Sequence, residues 1–72
     1  MAISYKKLFK LLIDRDLKKK DLRDMTGISY ATLRKLERGE NIMTDVIDNI
    51  CNSLHCDIGD IAEVILESNQ KQ

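Results

Sequence analysis

A chain of 72 residues with zero formal net charge is long enough for one small domain and too short for two. Its 43% hydrophobic and 33% charged residues include no apolar run of the length that a bilayer requires, which excludes a membrane span and indicates a water-soluble domain. Two cysteines are too few for a secreted disulfide framework, and the N-terminus lacks a signal-peptide pattern. We therefore expect a cytoplasmic protein with reduced thiols.

The charges are distributed unevenly along the chain. Residues 1–38 contain eleven Lys and Arg against five Asp and Glu, whereas residues 39–72 contain one against seven. Because charges act over a screening length of about 8–10 Å, a basic surface can attract a polyanion although the total charge is zero. The zero net charge therefore does not exclude a nucleic-acid partner.

The apolar spacing predicts an all-α domain of five helices over residues 1–66, followed by a flexible tail at 67–72. The absence of proline and the presence of only three glycines favour helices over a sheet of hairpins. Asp57 is the expected N-cap of the fifth helix. The predicted helices span about residues 5–15, 19–26, 29–38, 44–54 and 58–66.

The second and third predicted helices form a helix-turn-helix unit. Gly27 occupies the position at which a helix C-terminus takes positive φ, and Ser29 can accept a hydrogen bond from a free amide at the start of the next helix. Ile28 and Leu33 have the spacing of a hydrophobic staple. Two helices joined by so short a turn meet at a large angle, so the second can project one face away from the domain.

The outward face of residues 29–38 has the composition of a DNA-reading surface. Leu33 and Leu36 define its buried side, while Arg and Lys on the opposite side can donate to guanine and Ala31 can contact a thymine methyl group. The expected base contacts are Ser29, Tyr30, Ala31, Thr32, Arg34 and Lys35. The expected contacts to the DNA backbone are Lys18, Lys19, Lys20 and Arg38.

The stretch KKKDLRDMTGISYATLRKLERGE resembles the helix-turn-helix of the Cro/C1-type phage-repressor family, also called the xenobiotic-response-element family. The residues that establish the resemblance are Leu22, Gly27-Ile28-Ser29, Leu33, Leu36, Glu37 and Gly39, and it extends through VIDNICNSLHCDIGDI. It implies a five-helix, lambda-repressor-like domain that binds operator DNA, commonly as a homodimer. The family's base-reading positions fall on Tyr30, Ala31 and Lys35, with Ser29 and Thr32 nearby, and its backbone contacts fall on Lys18 and Lys19.

The chain departs from the family pattern at identifiable positions. Arg23 stands where the family usually has alanine, so its stem is expected to cross the helix junction and its charge to reach water. Leu12 replaces an arginine that pairs in many members with the acid at Glu37, which leaves either solvent or a different base as the partner of Glu37. In the loop after the third helix, often basic in the family, only Asn41 and backbone amides remain to contact a phosphate.

These features predict a sequence-specific transcriptional regulator, more plausibly a repressor by occlusion than an activator, that binds a palindromic operator as a homodimer. Dimerisation is expected through apolar groups of the fifth helix, such as Val64 and Leu66. The alternative is a protein-interaction module, such as an antitoxin or anti-repressor, that uses the acidic fourth and fifth helices. An enzyme is not expected, because the chain has a single His and no phosphate-cradling glycine loop.

Cys51, His55 and Cys56 form a C-x3-H-C pattern that suggests a metal site. A structural zinc site normally has four ligands, however, and the sequence has no second Cys/His pair. Cys51 lies on the apolar stripe of the fourth helix and is expected to pack as a small core residue. We therefore expect no metal, cofactor or small-molecule ligand, and a redox role for Cys56 stays open.

Overall fold

Four α-helices and a small antiparallel sheet make up the fold, which a computed structural model describes for residues 2–66. The helices are α1 (Lys6–Asp14), α2 (Lys19–Thr26), α3 (Tyr30–Arg38) and α4 (Thr44–Leu54). The strands are β1 (Ala2–Ser4) and β2 (Glu63–Ile65), with a 3₁₀ turn at Ile58–Asp60 between α4 and β2. The predicted tail at 67–72 lies outside the described residues. Within 2–66, no helix is both long enough and apolar enough to cross a bilayer.

The ends of the helix-turn-helix agree with the local signals in the sequence. Gly27 ends α2 in the left-handed conformation, with φ of 75°, and its amide donates to the Arg23 carbonyl at 2.7 Å. The Ser29 hydroxyl oxygen accepts a hydrogen bond from the Thr32 amide at 3.1 Å and caps α3. Gly39, with φ of 72°, ends α3 as Gly27 ends α2. The predicted helix-turn-helix boundaries are therefore confirmed.

The core is aliphatic except for one aromatic side chain. Its buried residues are Tyr5, Leu8, Leu12, Leu22, Ile28, Leu33, Leu36, Ile50, Leu54 and Ile61. The helical spacing of the sequence also predicts burial of Ile13 and Met25, but these residues are 72% and 45% exposed. Ile13 is rotated by about 100° from the buried Leu12, and Met25 lies in the last turn of α2 at the edge of the core.

The predicted fifth helix at 58–66 is wrong, because only one 3₁₀ turn forms there before the chain extends into β2. A helix at 58–66 would bury Ile58, Ile61, Ala62 and Ile65 along one face. Ile61 is fully buried and Ala62 half-buried, but Ile58 is 52% and Ile65 41% exposed. Strand β2 pairs antiparallel with β1 in the register Ala2↔Ile65, Ile3↔Val64 and Ser4↔Glu63. The fold is therefore mostly helical with four helices, and its two-stranded sheet was not predicted.

Local chemistry explains why the segment starts as a helix and does not continue as one. The Asp57 carboxylate caps the 3₁₀ turn by accepting a hydrogen bond from the Ile58 amide at 2.8 Å, so the predicted cap is confirmed. Gly59 disfavours a longer helix, and the β-branched Val64 and Ile65 favour extended backbone. Strand β1 then supplies hydrogen-bond partners for that backbone, which the helical spacing of the apolar residues did not reveal.

Contacts from α4 and β1 hold the C-terminal ends of the two helices of the helix-turn-helix. The side-chain amide of Asn49, in α4, donates to the Thr26 carbonyl at the end of α2 at 2.7 Å. A Cβ added at Gly39 would lie 2.9 Å from the Ile3 carbonyl oxygen, so β1 runs directly against the end of α3. The unit is thus fixed by one element that precedes it in the chain and one that follows it.

Candidate nucleic-acid interface

The face of α3 that points away from the core is accessible to solvent. Leu33 and Leu36 are 3% and 1% exposed and attach the helix to the core. The opposite face exposes Tyr30, Ala31, Lys35 and Arg38, of which Tyr30 is 56% exposed. A helix that is attached on one side and hydrated on the other can enter a DNA major groove without unfolding.

Ser29 and Thr32 form a hydrogen-bonded pair at the start of α3. The Ser29 hydroxyl donates to the Thr32 hydroxyl oxygen at 3.1 Å, in addition to accepting from the Thr32 amide. This pair orders the first turn, whose remaining amides form the positive end of the helix dipole. Ser29 is exposed and Thr32 half-buried, so a phosphate can approach the helix at this end.

Glu37 lies at the centre of an ion-pair cluster that joins α2 to α3. Lys19 Nζ is 2.6 Å from Glu37 Oε2, and Arg34 Nε is 3.5 Å from Glu37 Oε1. The hydrogen bond from Lys19 lowers the pKa of Glu37, and the nearby charges of Lys19, Arg34 and Arg38 lower it further against the opposing effect of burial. The partner of Glu37 that the sequence left open is therefore Lys19, together with Arg34.

Three of the predicted DNA contacts, Lys19, Arg34 and Arg38, are already paired with protein groups. Lys19 Nζ also lies 5.4 Å from the centroid of the Phe9 ring, and Arg38 Nη1 lies 3.5 Å from the Glu40 carboxylate. The three basic side chains are 56%, 43% and 59% exposed, in the order named. Ion pairs with this much exposure contribute little to stability, so a phosphate can replace the carboxylate partner at low cost.

Lys18, Lys20, Lys35 and Asn41, which are further predicted contacts, are also exposed. Within residues 2–66, none of the three lysines forms an ion pair. Lys35 is therefore the cation on the outer face of α3 that can donate to DNA without first breaking an ion pair inside the protein.

Arg23 belongs to this surface, although the sequence did not predict it as a contact. It is half-buried, and its guanidinium carbon lies 5.5 Å from the centroid of the Tyr30 ring. Its Nε atom is buried and has no hydrogen-bond partner among residues 2–66. The sequence signal was an arginine facing an aromatic residue across the turn, but only the crossing of α2 and α3 brings the two together.

The two thiols lie side by side at the end of α4. The Cys56 amide donates to the Cys51 carbonyl at 3.0 Å, and both side chains are half-buried against the core. Burial, and after it the neighbouring Cys56, raises the pKa of Cys51 to about 11. Across residues 2–66, no three His, Cys, Asp or Glu side chains group in a way that suits a metal ion.

Comparison with known proteins identifies the family of this fold. The family model of the Cro/C1-type helix-turn-helix DNA-binding domain matches residues 7–67. Among solved structures, the crystal structure of the transcriptional regulator VanUg, form II, is similar with a TM-score of 0.87 and 50% sequence identity, over 92% of this chain and 88% of that chain. No curated protein gives a significant match. The matched family model, together with the exposed helix-turn-helix, shows that the chain belongs to the Cro/C1-type helix-turn-helix DNA-binding domain family.

Proposed function

We propose that this protein is a transcriptional regulator that binds a palindromic operator as a homodimer, with α3 of each copy in one major groove. The observation that supports this most is the exposed polar face of α3, which Leu33 and Leu36 attach to the core from behind. The similarity to the transcriptional regulator VanUg supports a role in transcription. Two half-sites centred about 34 Å, or about 10 bp, apart would place both helices on one side of the duplex.

The contacts divide into those that read bases and those that hold the backbone. Lys35 and Arg34 donate to guanine, and Ala31 lies against a thymine methyl group. Arg34 and Lys19 exchange the Glu37 carboxylate for DNA. The proposed base contacts are Ser29, Tyr30, Ala31, Thr32, Arg34 and Lys35. The proposed backbone contacts are Lys18, Lys19, Lys20, Arg38 and Asn41.

A second copy is the proposed partner for the apolar surface around β2. Val64 and Leu66 are 48% and 55% exposed. Val64 also lines an apolar cleft of about 430 Å³ with Ile42 and Ile47. Sedimentation equilibrium tests this interface: Val64→Asp should convert a dimer into a monomer. If the wild type is a monomer, the proposed dimer is refuted. If Val64→Asp stays a dimer, the interface lies elsewhere on the surface.

Repression by occlusion follows from the size of the bound dimer. Two copies on adjacent half-sites cover roughly two turns of DNA, which is enough to exclude polymerase from an overlapping promoter. No further contact is required for this mechanism. A reporter driven by the bound promoter should therefore lose expression when the protein is produced, and a gain of expression would show activation instead.

Selection of bound fragments from genomic DNA, followed by footprinting, tests the proposed function directly. A two-fold symmetric footprint is expected. Lys35→Ala should abolish binding to the selected fragment without changing the circular dichroism spectrum, whereas Lys7→Ala should not. Lys7 is the matched control, because it removes the same charge from a side chain that binds the Gly59 carbonyl at 2.9 Å.

The protein-interaction alternative predicts a different outcome of the same work. The protein would then co-purify with another chain and would not bind DNA at low salt. Equal binding by wild type and Lys35→Ala would show that α3 does not occupy the groove.

A further inference from the structure

Two guanidinium groups are held against a single aromatic ring at the junction of α2 and α3. The guanidinium carbon of Arg23 lies 5.5 Å from the centroid of the Tyr30 ring, and that of Arg34 lies 5.7 Å from it. Tyr30 is the first residue of α3 and is 56% exposed. The ring therefore positions two cations beside the N-terminal end of the exposed helix.

Folding alone does not account for Arg23 at this position. Its Nε is buried without a hydrogen-bond partner among residues 2–66, and its charge lies on the same ring as that of Arg34. A buried donor without an acceptor destabilises a fold. Local rules are broken in this way mainly at functional sites.

From this geometry we infer that Arg23 is a further DNA contact and binds a backbone phosphate. The inference rests on the proposed function. The helix that precedes a recognition helix crosses the DNA backbone, and Arg23 is on that helix, α2. A planar guanidinium matches the geometry of phosphate oxygens, and the positive charge of Arg34 adds to the attraction of an anion to this junction. Arg23 thereby extends the cationic surface from the lysines at the start of α2 to the start of α3.

A phosphate accounts for these observations better than a base. The guanidinium lies beside the first turn of α3, where the helix amides also attract an anion. The ring of Tyr30 covers one side of the group and restricts its motion, so little side-chain freedom remains to be lost when the anion binds.

The test measures affinity for a labelled mixed-sequence duplex between about 50 and 200 mM salt. Arg23→Ala is expected to weaken binding about tenfold at the lower salt concentration. The slope of log affinity against log salt should fall by about 0.9, which is the contribution of one phosphate contact. Arg23→Lys should keep the slope, because the charge remains, but lose part of the affinity. The melting temperature of Arg23→Ala should equal or exceed that of wild type, because the substitution removes the unpartnered Nε.

The outcomes separate this inference from the proposed function. If a folded Arg23→Ala keeps the affinity and salt slope of wild type while Lys35→Ala loses binding to the selected fragment, only the role of Arg23 is overturned. Absence of duplex binding by wild type would overturn both proposals. An unchanged slope with a changed preference among selected genomic fragments would show that Arg23 reads a base and would overturn the phosphate assignment. If Arg23→Ala does not fold, Arg23→Gln removes the same charge with a longer stem, and the same slope criterion decides.

Discussion

Replacing Gly39 by alanine tests the packing of β1 against the end of α3. Gly39 has φ of 72°, a left-handed conformation that costs a non-glycine residue about 1–2 kcal/mol. The new Cβ would also lie 2.9 Å from the Ile3 carbonyl oxygen. This oxygen belongs to the backbone, so it cannot move away through a change of side-chain rotamer. Forcing β1 to shift adds about 1–3 kcal/mol, as for other overpacked sites. We expect Gly39→Ala to lower the free energy of unfolding by about 2–5 kcal/mol.

Gly27→Ala is the matched control for this substitution. Gly27 has nearly the same φ, 75°, but an added Cβ would meet no atom within 4 Å. It therefore incurs the conformational cost alone, about 1–2 kcal/mol. The difference between the two variants, about 1–3 kcal/mol, measures the contact with β1.

Urea unfolding followed by far-ultraviolet circular dichroism gives both values, provided that the dependence on urea concentration is the same in each variant. Equal destabilisation by the two substitutions would refute the reasoning. It would mean that β1 does not run against Gly39.

Further predictions concern the ion-pair cluster around Glu37, the two thiols and the buried residue Ile61. Because the pKa of Glu37 is lowered in the folded protein, the ion pairs of Glu37 stabilise the fold above the ordinary pKa of 4.5, and this stabilisation is lost as the pH falls through the folded-state pKa. Between about pH 6 and pH 3, the urea midpoint of Glu37→Gln should therefore fall less steeply than that of wild type. Parallel curves would contradict this. Burial is the largest cause of the raised pKa of Cys51 and remains when Cys56 is replaced, so iodoacetamide at about pH 8.5 should label Cys51 in a Cys56→Ala variant more slowly in the folded protein than in urea. Equal rates would count against burial of the thiol. In chemical denaturation, Ile61→Ala should lower the free energy of unfolding by about 2–5 kcal/mol and Ile58→Ala by about 0.5 kcal/mol. Equal losses in the two variants would favour the helix that the sequence predicted.

The helix-turn-helix could be predicted from the sequence because short-range interactions determine it. Gly27 supplies the positive φ that ends α2, and Ser29 caps α3 through a bond only three residues long. Leu33 and Leu36 attach α3 to the core, which leaves the cationic side in solvent. Each of these features depends on neighbours within one or two helical turns, so the exposed face of the candidate site followed from spacing alone.

The features that the sequence did not reveal depend on residues far apart in the chain. The apolar spacing of residues 58–66 fits a helix, but backbone pairing with β1, at the other end of the described region, makes β2 a strand. Nonlocal pairing of this kind overrides local preference because it satisfies a whole row of backbone groups at once. Likewise, the crossing of α2 and α3 decides that Glu37 pairs with Lys19 and that Arg23 lies on Tyr30. Local sequence thus determined which face of α3 is exposed to solvent, whereas tertiary packing alone decided which charges beside it are already paired.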